Sequence, residues 1–117
     1  MNFLSKKLNV VVTAGASGIG KTIALAYKNE GCRVYTCDVS DEFILSFKSD
    51  APDVFIQKTD IASFDDVKSF FSNVAQQVES IDILINCAGV AGPTASLQDV
   101  DPEEWRRTIG VNLNGMF

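Results

Sequence analysis

The sequence predicts an α/β fold: a three-layer, doubly wound parallel sheet of the Rossmann type with helices on both faces. Two observations predict it. Short apolar segments alternate with segments of helical periodicity at least three times, and this alternation with short connections is typical of right-handed βαβ units. The first apolar segment, residues 8–13, is rich in Val and suits a strand buried on both faces. The 117 residues are enough for one domain, residues 1–117, and too few for two.

The individual elements follow from periodicity and from residues that start or stop helices. Capping residues are expected to be Gly31 after the first helix, Ser63 with Asp66 as a capping box before the third, and Asp101 with Glu104 before the last. We expect strands at residues 8–13, 33–37, 53–57 and 81–85, and helices at 18–29, at 41–48, behind Ser63, and from Pro102 to Phe117.

Composition excludes several classes of function. The formal net charge is −5 and no cluster of Lys and Arg occurs, which argues against a nucleic-acid partner. No segment is apolar enough for a signal peptide or a membrane helix, so we expect a cytoplasmic protein that does not enter a membrane. The three cysteines form no C-x-x-C pair and His is absent, so reduced thiols and no metal site are expected.

A glycine-rich segment, Thr13–Gly20, joins the first strand to the first helix. Glycines at this point let the backbone approach a pyrophosphate, whose charge the free N–H groups and the helix dipole attract. A plain tight turn is the alternative, but the strand–turn–helix context favours a dinucleotide site. The candidate cofactor contacts here are Thr13, Gly15, Ser17, Gly18, Ile19 and Gly20.

An acidic residue, Asp38, follows the second strand. A carboxylate at this place accepts hydrogen bonds from the ribose hydroxyls and repels a 2′-phosphate, so it indicates NAD rather than NADP. Lys21 is the one nearby cation, and its side chain can equally face solvent. The alternative interpretation of Asp38 is a turn former.

Four motifs together resemble the short-chain dehydrogenase/reductase family over Leu8–Phe117. Thr13–Gly20 is similar to the family's T-G-x-x-x-G-x-G loop. Asp60 and Ile61 resemble the acidic pair that lies against the adenine, and the segment with Asn86, Ala88 and Gly89 resembles the N-N-A-G motif beside the cofactor. Asn112 resembles the Asn of the catalytic tetrad. The resemblance implies an NAD-dependent oxidoreductase that transfers hydride between an alcohol and a carbonyl compound, and a homo-oligomer in its full-length form.

Two positions depart from these motifs. Ala14 stands where the family has its first glycine, and a left-handed backbone there would cost Ala about 1–2 kcal/mol. We expect that Gly15 can take up the turn instead. Cys87 replaces the second Asn of N-N-A-G, and a small buried filler is the favoured interpretation of this thiol.

Asn112 has two interpretations. Trp105, Ile109, Asn112 and Met116 fall on one narrow stripe of the last helix, so the amide is expected to be buried and to need partners. It then either bonds the backbone of the neighbouring strand or, as the resemblance implies, helps order a water chain that serves the catalytic Lys.

The family's catalytic Tyr-x-x-x-Lys is absent from these 117 residues, since neither Tyr27 nor Tyr35 has a Lys four residues later. The strand order 3-2-1-4 of such a sheet would also leave the apolar fourth strand at an edge, which proteins normally cover. We therefore expect a chain truncated after the fourth strand and the following helix, representing the cofactor-binding half. A non-catalytic NAD-binding or regulatory protein and an inactive remnant are the alternatives, and the substrate is not readable.

Overall fold

A computed structural model describes residues 7–117. Four parallel strands form one sheet in the order β3-β2-β1-β4, as the sequence predicts. The strands are β1 (Asn9–Thr13), β2 (Arg33–Asp38), β3 (Phe55–Lys58) and β4 (Ile83–Ile85). The α-helices are α1 (Gly18–Asn29), α2 (Asp41–Asp50), α3 (Phe64–Ala75) and α4 (Pro102–Ile109), and a π-helical segment, Gly110–Asn114, continues α4.

The core has two parts, one on each face of the sheet. Successive side chains of a strand point to opposite faces, so β1 sends Val10 and Val12 to one face and Val11 to the other. Val10 and Val12 pack in a cluster with Phe47 of α2, whereas Val11 packs in a second cluster with Phe70 of α3. All five side chains are fully buried, which confirms the predicted strand buried on both faces.

Several predicted boundaries are wrong. β3 begins at Phe55 rather than at residue 53, because the backbone turns first, with the Val54 N–H donating to the Ala51 carbonyl. β4 begins at Ile83 rather than at residue 81. The last α-helix ends at Ile109 instead of continuing to Phe117, because the Gly115 N–H bonds five residues back to the Gly110 carbonyl, the spacing of a π-helix.

The capping predictions are half right. Ser63 and Asp101 are the N-caps of α3 and α4, and each side chain accepts a backbone N–H, from Asp66 and Glu103 respectively. The expected return bond from Glu104 does not form within residues 7–117, so the Asp101 cap is not a full box. In the described part of the chain, no helix is both long and apolar enough to cross a membrane.

β4 forms an edge of the described sheet and pairs with β1 alone. Leu84, in the middle of β4, is 46% exposed. The predicted apolar edge is therefore present in residues 7–117, and the self-association that it would favour stays a prediction.

Candidate cofactor site

The carboxyl ends of the strands open onto a cleft of 470 Å³. This volume is within the range of small-molecule sites, and open parallel sheets bind ligands at this end of their strands. Five segments of the chain contribute to its walls: the glycine loop, the end of β2 with α2, the loop after β3, the loop after β4, and α4 with the π-helical segment. The lining residues are Ala14, Ser17, Cys37, Asp38, Val39, Ser40, Phe43, Thr59, Asp60, Ile61, Ala62, Ala88, Gly89, Val90, Arg107 and Val111.

Ala14, not Gly15, makes the left-handed turn of the glycine loop. Its φ angle is 52°, and Ala14 is the one non-glycine residue with positive φ in residues 7–117. The expectation that Gly15 takes up the turn is therefore wrong. Gly15 is constrained by a close approach instead, because a Cβ there would lie 1.9 Å from Thr36 Oγ1. Gly20 is equally constrained, because its Cβ would lie 2.1 Å from the Ala14 carbonyl oxygen.

Among the α-helices of residues 7–117, only α1 begins without a side-chain cap. Ser17 is the N-cap of α1, but its side chain accepts no backbone N–H, whereas Ser40, Ser63 and Asp101 each cap their helices. The first N–H groups of an α-helix have no partner within the helix and attract anions. The uncapped start of α1 therefore offers donors to a ligand at the point where the sequence predicts the pyrophosphate.

Asp38 connects β2 to the glycine loop. Its Oδ2 accepts the Ala16 N–H at 3.1 Å, and its Oδ1 accepts the N–H groups of Val39 at 2.8 Å and Ser40 at 3.2 Å. The residue is 8% exposed and lines the cleft. A carboxylate has about four acceptor positions, so roughly one stays open for a ligand. Sequence reasoning missed that Asp38 also braces the loop.

The loop after β3 is held by two carboxylates. Asp60 Oδ1 accepts the Ala62 N–H, and Asp66 Oδ2 accepts the Asp60 N–H, both at 2.9 Å. The predicted capping box is thus half formed: Ser63 accepts the Asp66 N–H, but Asp66 bonds Asp60 instead of Ser63. Asp66 consequently ties the start of α3 to the loop that presents Asp60 and Ile61 to the cleft.

Thr13 anchors the loop after β4. Its Oγ1 accepts the N–H groups of Cys87 at 2.9 Å and Ala88 at 3.1 Å. Ala88 and Gly89 line the cleft, whereas Asn86 is exposed and outside the lining. Cys87 is half-buried against the core, close to the buried filler that the sequence predicts.

Both the oxygen and the nitrogen of the Asn112 side-chain amide form hydrogen bonds with the backbone of Val90. Its Oδ1 accepts the Val90 N–H and its Nδ2 donates to the Val90 carbonyl, both at 2.8 Å. This geometry matches the structural interpretation, with the loop after β4 as partner rather than a strand. The predicted burial is wrong: Asn112 is exposed, and Trp105 and Met116 on the same stripe are 53% and 54% exposed, because no element of residues 7–117 covers them.

Cys37 is a buried thiol at the cleft wall. Burial raises the pKa of Cys37 to about 11, and the neighbouring Asp38 charge acts in the same direction. Since the thiolate is the nucleophilic form, Cys37 stays protonated near neutral pH and serves as packing.

The cation that lines the cleft is not the one that the sequence indicates. Lys21 Nζ bonds Asp50 Oδ2 at 2.6 Å and is not among the lining residues. Arg107 of α4 lines the cleft instead, one helical turn before Val111. Sequence reasoning missed Arg107, Val111 and Phe43; the four-residue spacing of Arg107 and Val111 was the one available signal that they share a face.

The structure brings about half of the sequence-predicted residues to the cleft wall. Ser17, Asp38, Asp60, Ile61, Ala88 and Gly89 line it. Gly18 and Ile19 are exposed at the start of α1, and Thr13, Gly15 and Gly20 are buried in or beneath the loop. Asn86 and Asn112 are outside the lining.

Comparison with known proteins gives a consistent set of matches. The family model described as short chain dehydrogenase matches residues 8–117. Short chain dehydrogenase/reductase dpfgG of Gibberella zeae is 34% identical over 106 residues, which are 88% of this chain and 39% of that protein. Acetoacetyl-CoA reductase of Allochromatium vinosum is 32% identical over 113 residues, which are 92% of this chain and 46% of that protein.

A solved structure has the same fold. The crystal structure of an actinorhodin polyketide ketoreductase variant with NADPH matches with a TM-score of 0.88 at 26% identity, and the match covers 100% of this chain and 46% of that one. This chain therefore spans less than half of the length of each of these relatives.

Proposed function

The chain belongs to the short chain dehydrogenase family, and from that premise we propose that it holds NAD(H) for an oxidoreductase acting on an alcohol and carbonyl pair. The observation that carries the proposal is the uncapped start of α1 in the same cleft as Asp38. Those two features supply what a dinucleotide needs at this end of a sheet, N–H donors for the pyrophosphate and an acceptor for the adenosine ribose.

The preference for NAD over NADP rests on charge. Asp38 is the acidic residue at the end of β2, and a 2′-phosphate beside its carboxylate would meet like charge. Lys21 does not offset this repulsion, because it is paired with Asp50. The actinorhodin polyketide ketoreductase variant was solved with NADPH, and we propose that this chain differs from that relative in its cofactor preference.

The chemistry divides between cofactor and protein. Bound NAD supplies the hydride acceptor, and NADH the donor. The residues of this chain bind and orient it: the glycine loop receives the pyrophosphate, Asp38 receives the ribose, and the Asn112 amide fixes the backbone of Val90 at the cleft wall. Asn112 thereby acts as a positioning residue. The proposed substrate is an alcohol or carbonyl compound. The proposed location is the cytoplasm, which the unpaired thiols support.

A fluorescence titration tests the proposal. NADH is expected to bind the purified chain more tightly than NADPH, and Asp38→Ala is expected to narrow the difference. Because Asp38 also holds the glycine loop in place, Asp38→Ala weakens NADH binding as well. The ratio of the NADH affinity to the NADPH affinity is therefore the diagnostic quantity. Equal affinities of the unmutated chain for NADH and NADPH would contradict the NAD assignment.

A further inference from the structure

Arg107 of α4 lies at the wall of the cofactor cleft. The residue lines the cleft, yet no hydrogen bond or ion pair joins its side chain to another residue within residues 7–117. The neighbouring Arg106 differs in both respects: it pairs with Glu103 on the outer side of α4 and does not line the cleft. Two adjacent arginines on one exposed helix thus have different surroundings.

Apolar side chains and the carboxylates of Asp38 and Asp60 share the cleft with Arg107, but neither carboxylate pairs with it within residues 7–117. Val111 lies one helical turn later and lines the same wall. The π-helical segment that carries Val111 packs on the loop after β3, where an added Cβ on Gly110 would lie 3.8 Å from Ala62 Cβ. Ile61 and Phe43 are the other large apolar side chains that line the cleft with Val111. No ion pair within residues 7–117 accounts for the position of Arg107.

The location in the cleft identifies the part of the ligand that Arg107 meets. On the proposed function, the pyrophosphate lies at the start of α1 and the adenosine ribose at Asp38. The apolar side chains of Ile61, Phe43 and Val111 line the same cleft as Asp38 and suit the adenine. An arginine guanidinium is planar and stacks on aromatic faces. A lysine offers a compact charge without that plane.

We propose that Arg107 stacks on the adenine of the bound nucleotide and determines how well this chain holds the adenosine end. The inference rests on the proposed function, because it requires a nucleotide in this cleft. It adds a contact residue from α4, an element distant in sequence from the glycine loop.

Matched substitutions at two adjacent arginines test the role. Arg107→Ala removes the guanidinium from the cleft, Arg107→Lys keeps its charge without the plane, and Arg106→Ala removes the same charge from the outer side of α4. Each variant is titrated with NADH and NADPH, and AMP and ribose 5-phosphate are used as competitors of NADH. Thermal unfolding without ligand confirms that the three variants remain folded, as expected for exposed side chains.

Arg107→Ala is expected to weaken NADH, NADPH and AMP alike by about three- to tenfold, the range of a partly desolvated cation–π contact. Arg107→Lys recovers less than half of that loss, and Arg106→Ala stays at the unmutated affinity. Ribose 5-phosphate competes equally against all variants, because it lacks the adenine.

Three results would overturn the inference. Equal affinities of Arg107→Ala and Arg106→Ala would leave Arg107 without a role in binding. A loss confined to NADPH would mean that Arg107 contacts a 2′-phosphate, and full recovery by Arg107→Lys would mean that charge alone matters. If the unmutated chain binds neither NADH nor AMP, the proposed function fails and this inference fails with it; if the unmutated chain binds both and Arg107→Ala has no effect, this inference alone fails.

Discussion

Thr36 and Gly15 fit together so closely that a single methyl group on Gly15 would overlap the threonine hydroxyl. The carbon of that methyl group would lie 1.9 Å from Thr36 Oγ1. The hydroxyl cannot easily turn away, since it is fully buried and donates to the Val12 carbonyl at 2.6 Å. β2 therefore sets the position of the glycine loop from beneath.

Replacing Gly15 with Ala tests this fit. The added methyl group must displace either Thr36 or the loop, and overpacking of a buried site costs about 1–3 kcal/mol. We expect a lower free energy of unfolding in urea and at least about a tenfold loss of NADH affinity, since the N–H groups of the loop move. Gly89→Ala is the control for stability, because its Cβ would lie 3.4 Å from Asn112 Oδ1, an ordinary contact. A Gly15→Ala variant as stable as the unmutated chain would refute the fit.

A substitution at the neighbouring residue, Ala14, should change stability in the opposite direction. Ala14 holds φ at 52°, a region that costs a non-glycine residue about 1–2 kcal/mol. Ala14→Gly removes this strain but adds about 0.4–1 kcal/mol of chain entropy to the unfolded state. We expect a net gain of up to about 1.5 kcal/mol in the free energy of unfolding in urea. Destabilisation by Ala14→Gly would mean that the left-handed turn is not strained.

Asp66 is expected to matter for the cofactor although it does not line the cleft. Its carboxylate accepts the Asp60 N–H at 2.9 Å, so Asp66→Ala should free the loop that carries Asp60 and Ile61. We expect a loss of about 1 kcal/mol in stability, comparable with loss of a helix cap, and a rise of a few-fold in the Kd for NADH. Fluorescence titration together with urea unfolding measures both.

Asp65→Ala is the matched control for Asp66→Ala. Asp65 contributes the same charge to the first turn of α3 and makes no hydrogen bond to the loop within residues 7–117. If the two variants lose the same NADH affinity, the loss comes from removing a negative charge at the start of α3 and not from losing the hydrogen bond to Asp60.

The pKa of Cys37 predicts a loss of stability at high pH. Burial raises this pKa from 9.0 to about 11 in the folded chain. The unfolded chain therefore releases the proton first, so the stabilising contribution is complete below pH 9 and declines as pH rises to about 11. Each pKa unit corresponds to about 1.4 kcal/mol, so a decline of roughly 2–3 kcal/mol is expected.

Urea unfolding between about pH 8 and 11 measures that decline, with Cys37→Ala as the reference. The variant lacks the thiol but retains every Lys and Tyr, so the difference between the two pH profiles isolates Cys37. Parallel profiles across this range would show that Cys37 titrates normally in the folded chain.

The sequence predicts the parts of this site that depend on local pattern. Near neighbours in sequence suffice to recognise three features: the apolar run of β1, the glycines after it, and Asp38 at the end of β2. The order of the strands then gives their places in the fold. The bond from Ala16 to Asp38 joins residues far apart in sequence and exists only because β1 and β2 pair in register.

The cleft-facing position of Arg107 was not predictable for a similar reason. Arg106 and Arg107 are identical in type and adjacent in sequence, and only the folded chain distinguishes them, because Arg107 lines the cleft and Arg106 does not. The predicted burial of the last helix is wrong. The apolar stripe with Trp105 and Met116 indicates which face of the helix can be covered, but it does not indicate whether residues 7–117 cover that face.

The backbone amides of the glycine loop offer the most direct test that this chain holds a dinucleotide. In an NMR titration of the ¹⁵N-labelled chain with NADH, the amide signals of Ser17, Gly18, Ile19 and Gly20 are expected to shift, because the uncapped first turn of α1 receives the pyrophosphate. The amide signals of Glu30, at the end of α1, and Glu103, in the first turn of α4, serve as internal references, because neither residue lines the cleft and both N–H groups are already bonded. Saturable shifts at residues 17–20 that exceed those references are the predicted result. Unchanged signals at residues 17–20 under saturating NADH would contradict the account.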